Sequence, residues 1–195
     1  MPKTKLAREH AVSFGYKCAW LAVKAPPAAV LKALVGEPRR AGWQAGVAAA
    51  YEGSVFVTPA VAEWTLVVST ALFDEANSDV VAYVARVAKA VNCPTQLFAT
   101  DRVIGLSAFV SVDATGNVVR AYCHDGNETV VNEGKPTAGE KKLGFAFGSV
   151  DDVDEEAIPD EEAIMAIAGT WSLDPQTLFQ LPAGGEGWLT TALAI

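Results

Sequence analysis

No stretch of this 195-residue chain approaches the roughly 18 consecutive apolar residues that a membrane-spanning helix requires. No apolar signal-peptide core follows the charges of MPKTKLAREHAVSFGYK at the N-terminus. Cysteine is scarce: Cys18, Cys93 and Cys123 are too few for a disulfide framework, and without C-x-x-C spacing they give no structural zinc site. Histidine is scarcer, with only His10 and His124. Neither G-x-G-x-x-G nor a Walker phosphate loop is present, since Gly134-Lys135 lacks the upstream glycine. These absences lead us to expect a cytoplasmic protein with no cofactor, no metal and no membrane association. What is plentiful is apolar material. With 51% hydrophobic and 19% charged positions the chain can bury a core, and its length fits one domain with at most a small appendage.

Charge is distributed unevenly. There are 23 acidic and 15 basic residues, a formal net charge of -8. The segment DDVDEEAIPDEE holds eight carboxylates, Asp151, Asp152, Asp154, Glu155, Glu156, Asp160, Glu161 and Glu162, and no lysine or arginine. The rest of the chain is balanced at 15 against 15, so the whole net charge lies in these twelve residues. Nucleic-acid binding needs clustered Lys and Arg, and is not expected here.

The pattern along the chain predicts an α+β protein. Residues 1–15 lack periodicity and read as a loose tail. KCAWLAVKA is a buried strand with Cys18, Trp20 and Ala22 on one side and Ala19, Leu21 and Val23 on the other. Pro26-Pro27 opens a helix that Gly36 stops, and residues 43–51 give a second helix. SVFVTP and EWTLVVST suggest a strand pair. Val80, Val84, Val87 and Val91 mark a helix capped by Asn77 or Ser78, and TQLFAT a return strand. This order predicts a ferredoxin-like βαββαβ core. An antiparallel meander over VIGLSAFVSVD, NVVRAYCH and ETVVNEG extends it, with Asp125-Gly126 as a two-residue hairpin turn. Residues 16–134 would form this core, and 135–195 an appendage of short C-terminal helices. Within the appendage Thr137 and Glu140 form a capping box, and Asp160, Glu161 and Glu162 fill the first turn of a helix that Gly169 stops.

The residues that could carry chemistry do not assemble. Cys123, His124 and Asp125 adjoin in sequence, but neighbours on a strand point to opposite faces. Cys18 and Cys123 read as small buried hydrophobes, and Cys93 sits at a helix C-terminus, the end of the dipole that disfavours a thiolate. Counted as a calcium loop from Asp152, the acidic run has Ala157 where glycine is needed and Ala163 where the last glutamate is needed. No catalytic residue is assigned. The run reads either as a docking surface for a basic partner or as a solvated linker. Among five tryptophans, Trp20 and Trp64 belong to the core, whereas Trp43 and Trp171 are candidates for an interaction site beside the charge.

GWQAGVAAAYEGSVFVTPAVAEWTLVV, with the later TQLFATDRVIGLSAFVSVDATGNVVRAY and EEAIMAIAGTWSLDPQTL, resembles a group of uncharacterised bacterial proteins sharing a GWxxGxxAAYxGxVFVTP…WTLVV signature. That resemblance covers most of residues 17–178. It implies kinship with candidate immunity proteins, the antidotes encoded beside secreted bacterial toxins, and carries no catalytic residue. Three functions follow as expectations. The first is a non-catalytic immunity-type inhibitor that meets one basic toxin or effector through the eight carboxylates with Trp43 and Trp171. The second is a small-ligand or enzymatic domain with a pocket near Trp43 and Tyr51. The third is an accessory subunit of a larger assembly.

Overall fold

A computed structural model describes residues 10–76, 79–154, 157–182 and 185–194. The element order is β1 (Cys18–Val23), α1 (Pro27–Leu34), β2 (Arg39–Ala41), α2 (Trp43–Tyr51), β3 (Val55–Val57), β4 (Thr65–Val68), α3 (Leu72–Ala76) and α4 (Val80–Val91). It continues through β5 (Thr95–Asp101), β6 (Leu106–Val112), β7 (Val118–Asp125), β8 (Thr129–Gly134), α5 (Ala138–Leu143), α6 (Glu161–Trp171) and β9 (Gly187–Thr190). Among the described residues, nine strands form one antiparallel sheet in the order β2-β9-β3-β4-β1-β5-β6-β7-β8. The class is therefore α+β. The sheet is larger than a βαββαβ unit: the meander β6–β7–β8 extends one edge, and β9 with β2 extends the other.

Helices cover both faces, and strand alternation sorts the core between them. In β1, Ala19, Leu21 and Val23 face the layer formed by Val30 and Leu34 of α1, Leu72 and Ala76 of α3, and Val80, Val84 and Val87 of α4. Cys18, Trp20 and Ala22 face the opposite layer, with Trp43, Val47 and Ala50 of α2 and Ile164, Met165, Ile167 and Ala168 of α6. Aromatic rings dominate this second layer. Trp20 stacks on Phe98 at 5.3 Å, Phe109 on Tyr122 at 5.1 Å, and Trp171 meets Phe109 edge-on at 5.5 Å.

Several local expectations change in the structure. Asn77 and Ser78 lie outside the described residues, and the cap of α4 is Asp79, whose carboxylate accepts from the Ala82 N–H at 3.0 Å. Gly169 does not stop α6, which continues to Trp171. At the β7–β8 hairpin Asp125 keeps a negative φ, unlike the first centre of a type I′ turn. Its carboxylate instead accepts from the N–H groups of Asn127 and Glu128 at 2.8 and 3.0 Å, an Asx-type turn, and only Gly126 is left-handed. Residues 10–15, part of the expected loose tail, are packed: Ala11 and Phe14 are buried, and Phe14 meets Trp20 edge-on. The C-terminal part is not an appendage in space, because α6 fills one core layer and β9 inserts between β2 and β3.

Candidate functional site

Four strand positions define one end of the sheet. Cys18 pairs with Thr100, Thr100 with Ser107, and Ser107 with His124, so these side chains form a buried polar row across β1, β5, β6 and β7. The acidic segment runs over this end. Asn132 donates to the Ser149 carbonyl at 2.8 Å, and the Ser107 hydroxyl donates to the Pro159 carbonyl at 2.6 Å. Between these anchors, Val150, Val153 and Ile158 lie beside His124 and Thr129 around a recess of about 220 Å³. The described part of the segment is thus held against the fold, as a free linker would not be.

The sequence-predicted site residues separate into groups. Asp151 and Asp152 lie exposed in a single 3-10 turn, and Asp154 is exposed just after it. Glu155 and Glu156 lie outside the described residues. Asp160 caps α6, accepting from the Ala163 N–H at 2.8 Å, and Glu161 and Glu162 occupy the first helical turn as their sequence position predicts. The two tryptophans do not join them at the surface. Trp43 is 1% exposed and packs edge-on to Phe56, because its position at the start of α2 turns the indole toward the sheet. Trp171 is half-buried, tilted against Phe98 and edge-on to Phe109.

A cleft of about 520 Å³ opens beside the acidic start of α6, lined by Tyr16, Lys17, Tyr51, Arg102 and Asp160–Glu162. Its geometry is set locally by Tyr51. The phenol accepts from the Gly15 N–H at 3.2 Å and donates to the Tyr16 carbonyl at 2.9 Å. These bonds tether the turn in which Lys17 adopts a left-handed φ of 49°. Burial raises the Tyr51 phenol to about 12, with the neighbouring Cys18 and Glu161 adding to the effect. The hydroxyl is held in its neutral, donating form. A second recess of about 370 Å³ shares Arg102, Asp160 and Glu161 with this cleft and reaches Thr100, Ser107 and Pro159.

Of Trp43 and Tyr51, near which the sequence predicts a pocket, only Tyr51 lines this cleft, and Tyr16, Lys17 and Arg102, with Thr100 of the adjoining recess, are not among the sequence candidates. No motif could have grouped them, because they come from a turn, a strand and a hairpin tip far apart in the chain.

The cysteines offer no activated nucleophile. Burial raises the Cys18 and Cys123 thiols to about 12 each. Cys123 faces α3, where its thiol meets the Ala76 carbonyl, while His124 faces the opposite layer beside Thr129. Only Cys93 is partly exposed. An aromatic disulfide reagent at mildly alkaline pH should therefore titrate one thiol per native chain and three in denaturant. Rapid reaction of two or three in the native protein would contradict this burial.

Among the described residues, no group of three or more His, Cys, Asp and Glu side chains is placed to hold a metal ion. Also among these residues, no helix is long and apolar enough to cross a membrane. No family model, curated protein or solved structure matches the chain.

Proposed function

We propose that the protein is a non-catalytic binding protein that docks one basic protein partner through the acidic segment, most concretely as an immunity-type inhibitor covering a toxin or effector surface. The observation that supports this reading is the anchored presentation of exposed charge. Asp151, Asp152, Asp160 and Glu162 are exposed along a segment tied down at Ser149 and Pro159, and no lysine or arginine among the described residues forms an ion pair with them. Anchored like charges create a directed field that accelerates encounter with a basic surface and disfavours acidic competitors. Trp43 takes no part in this surface, and Trp171, at the far end of α6, packs on Phe98 and Phe109. The resemblance to candidate immunity proteins agrees in direction with this reading.

We further infer a ferredoxin-like core in β1, α1, β3, β4, α4 and β5. Support comes from the sheet order β3-β4-β1-β5 and from α1 and α4 lying on the same face. In this reading β2 and α2 are an insertion in the first crossover.

The test is affinity capture from the native host by the full chain, beside a variant in which all eight carboxylates of 151–162 become amides. Asparagine at 160 still caps α6, so the variant is expected to fold. The expected result is one basic protein held by the wild type. With the purified pair, the association rate should fall at least tenfold on amidation and also in high salt, where the Debye length drops to about 3 Å at 1 M. Association indifferent to both changes would overturn the docking surface.

A second reading, a small-ligand module, is favoured by the cleft at Tyr51.

A further inference from the structure

The cleft beside α6 contains charges of both signs that the fold leaves apart. Lys17, Arg102, Glu161 and Glu162 all line it, yet among the described residues no ion pair joins the two signs. At the adjoining recess two polar atoms are buried without a hydrogen-bond partner. One is the Thr100 Oγ1, on a residue 1% exposed, and the other is Glu161 Oε1. Alternation along β5 puts Thr100 on the same face as Phe98 and Gln96, toward Pro159 and Asp160, and it lines the recess that shares Arg102 and Glu161 with the cleft. An orphaned buried polar atom is costly, and a buried carboxylate oxygen especially so. Their clustering at one opening calls for a partner from outside the chain.

The walls restrict what that partner is. A simple cation meets Lys17 and Arg102, and a simple anion meets three carboxylates. A small molecule with an ammonium and a carboxylate a few ångströms apart complements both sets. The rings of Tyr16 and Tyr51, 45% and 39% exposed, supply flat apolar walls for its remaining atoms. We propose that this cleft binds a zwitterionic α-amino acid, its ammonium donating to Glu161 and its carboxylate received by Arg102, with the Thr100 hydroxyl as a further polar contact. The cleft shares Asp160, Glu161 and Glu162 with the proposed docking surface, but amino acid binding there needs no protein partner.

The experiment is a nitrogen–proton correlation titration of the full chain with free L-α-amino acids, one at a time. The best binder is then compared with its N-acetyl and its carboxamide derivatives. At least one free amino acid should give saturable shifts at Thr100, Arg102 and Glu161. Loss of either ligand charge should weaken binding at least tenfold, as should Glu161→Gln or Arg102→Met, whereas Asp151→Asn should leave it unchanged. Preserved dispersion of the remaining resonances verifies that each variant is folded. Four outcomes would overturn the proposal. They are no saturation by any amino acid, equal binding of the N-acetyl form (an anion on Arg102 alone), equal binding of the carboxamide (a cation on the acids alone), and indifference to both cleft variants. Failure of the protein-partner reading would register only in the capture experiment, which contains no amino acid probe.

Discussion

Replacing Arg120 with methionine is expected to destabilise the protein by about 3–5 kcal/mol, the range for removing one member of a buried ion pair. Arg120 on β7 and Glu140 on α5 are both fully buried. Arg120 Nε donates to Glu140 Oε1 at 2.7 Å, and Nη2 lies 2.7 Å from the same oxygen. Nη1 donates to the Asn132 side chain at 2.6 Å and to the carbonyls of Ala121 and Glu133 at 2.7 and 2.9 Å. The other Glu140 oxygen accepts from the N–H and hydroxyl of Thr137 at 2.8 and 2.9 Å. Methionine retains much of the apolar volume but leaves the Glu140 carboxylate buried without its cation. The double variant Arg120→Met, Glu140→Leu removes that orphaned charge and should recover a large part of the loss. It forfeits the capping box, which contributes about 1 kcal/mol. Urea unfolding of the wild type, both single variants and the double variant closes the cycle. A loss below about 1 kcal/mol for Arg120→Met would place the pair in the weak class of solvated salt bridges.

This network shows how far the sequence is legible. Thr137 and Glu140 stand three apart ahead of an exposed helix, and the capping box they predict is present. Arg120 gave no comparable signal. In NVVRAYCH it alternates with Tyr122 and His124, and an arginine there reads as solvent-facing because charged residues are rarely buried unless paired. Its pairing depends on a helix twenty residues downstream that folds back over the sheet. The same distinction separates the elements that could be read from those that could not. β1, α2 and α4 carry their own periodicity, while β2 is three residues, Arg39–Ala41, with no alternation to read, and is a strand because β9 pairs with it. The cleft was half visible. Asp160, Glu161 and Glu162 announce a helix N-terminus locally, but Lys17 and Arg102 reach it only after the sheet brings β1 and β5 together.

Gly126→Ala should be the most damaging single-methyl change at a hairpin, costing about 2–5 kcal/mol: a left-handed penalty of about 1–2 plus overpacking of about 1–3. Gly126 has φ 101°, and a Cβ there would collide with the Ile104 carbonyl oxygen in the tip of the β5–β6 hairpin. At this chain length each kcal/mol lowers Tm by about 2–4 °C, so the drop should be roughly 4–20 °C. Gly53→Ala is the control. Its φ of 88° is also left-handed, but nothing lies within 4 Å of the added carbon, so it incurs the conformational penalty alone. The difference between the two variants isolates the contact between hairpin tips. That contact matters to the cleft, because the β5–β6 tip begins with Arg102, whose side chain lines it. To relieve the collision the tip must shift, and Arg102 with it. Gly126→Ala should therefore weaken any amino acid bound at the cleft although it touches no lining residue, and Gly53→Ala should not. If the two variants prove equally stable, the tips are not packed as described, and Arg102 is positioned by its own hairpin alone.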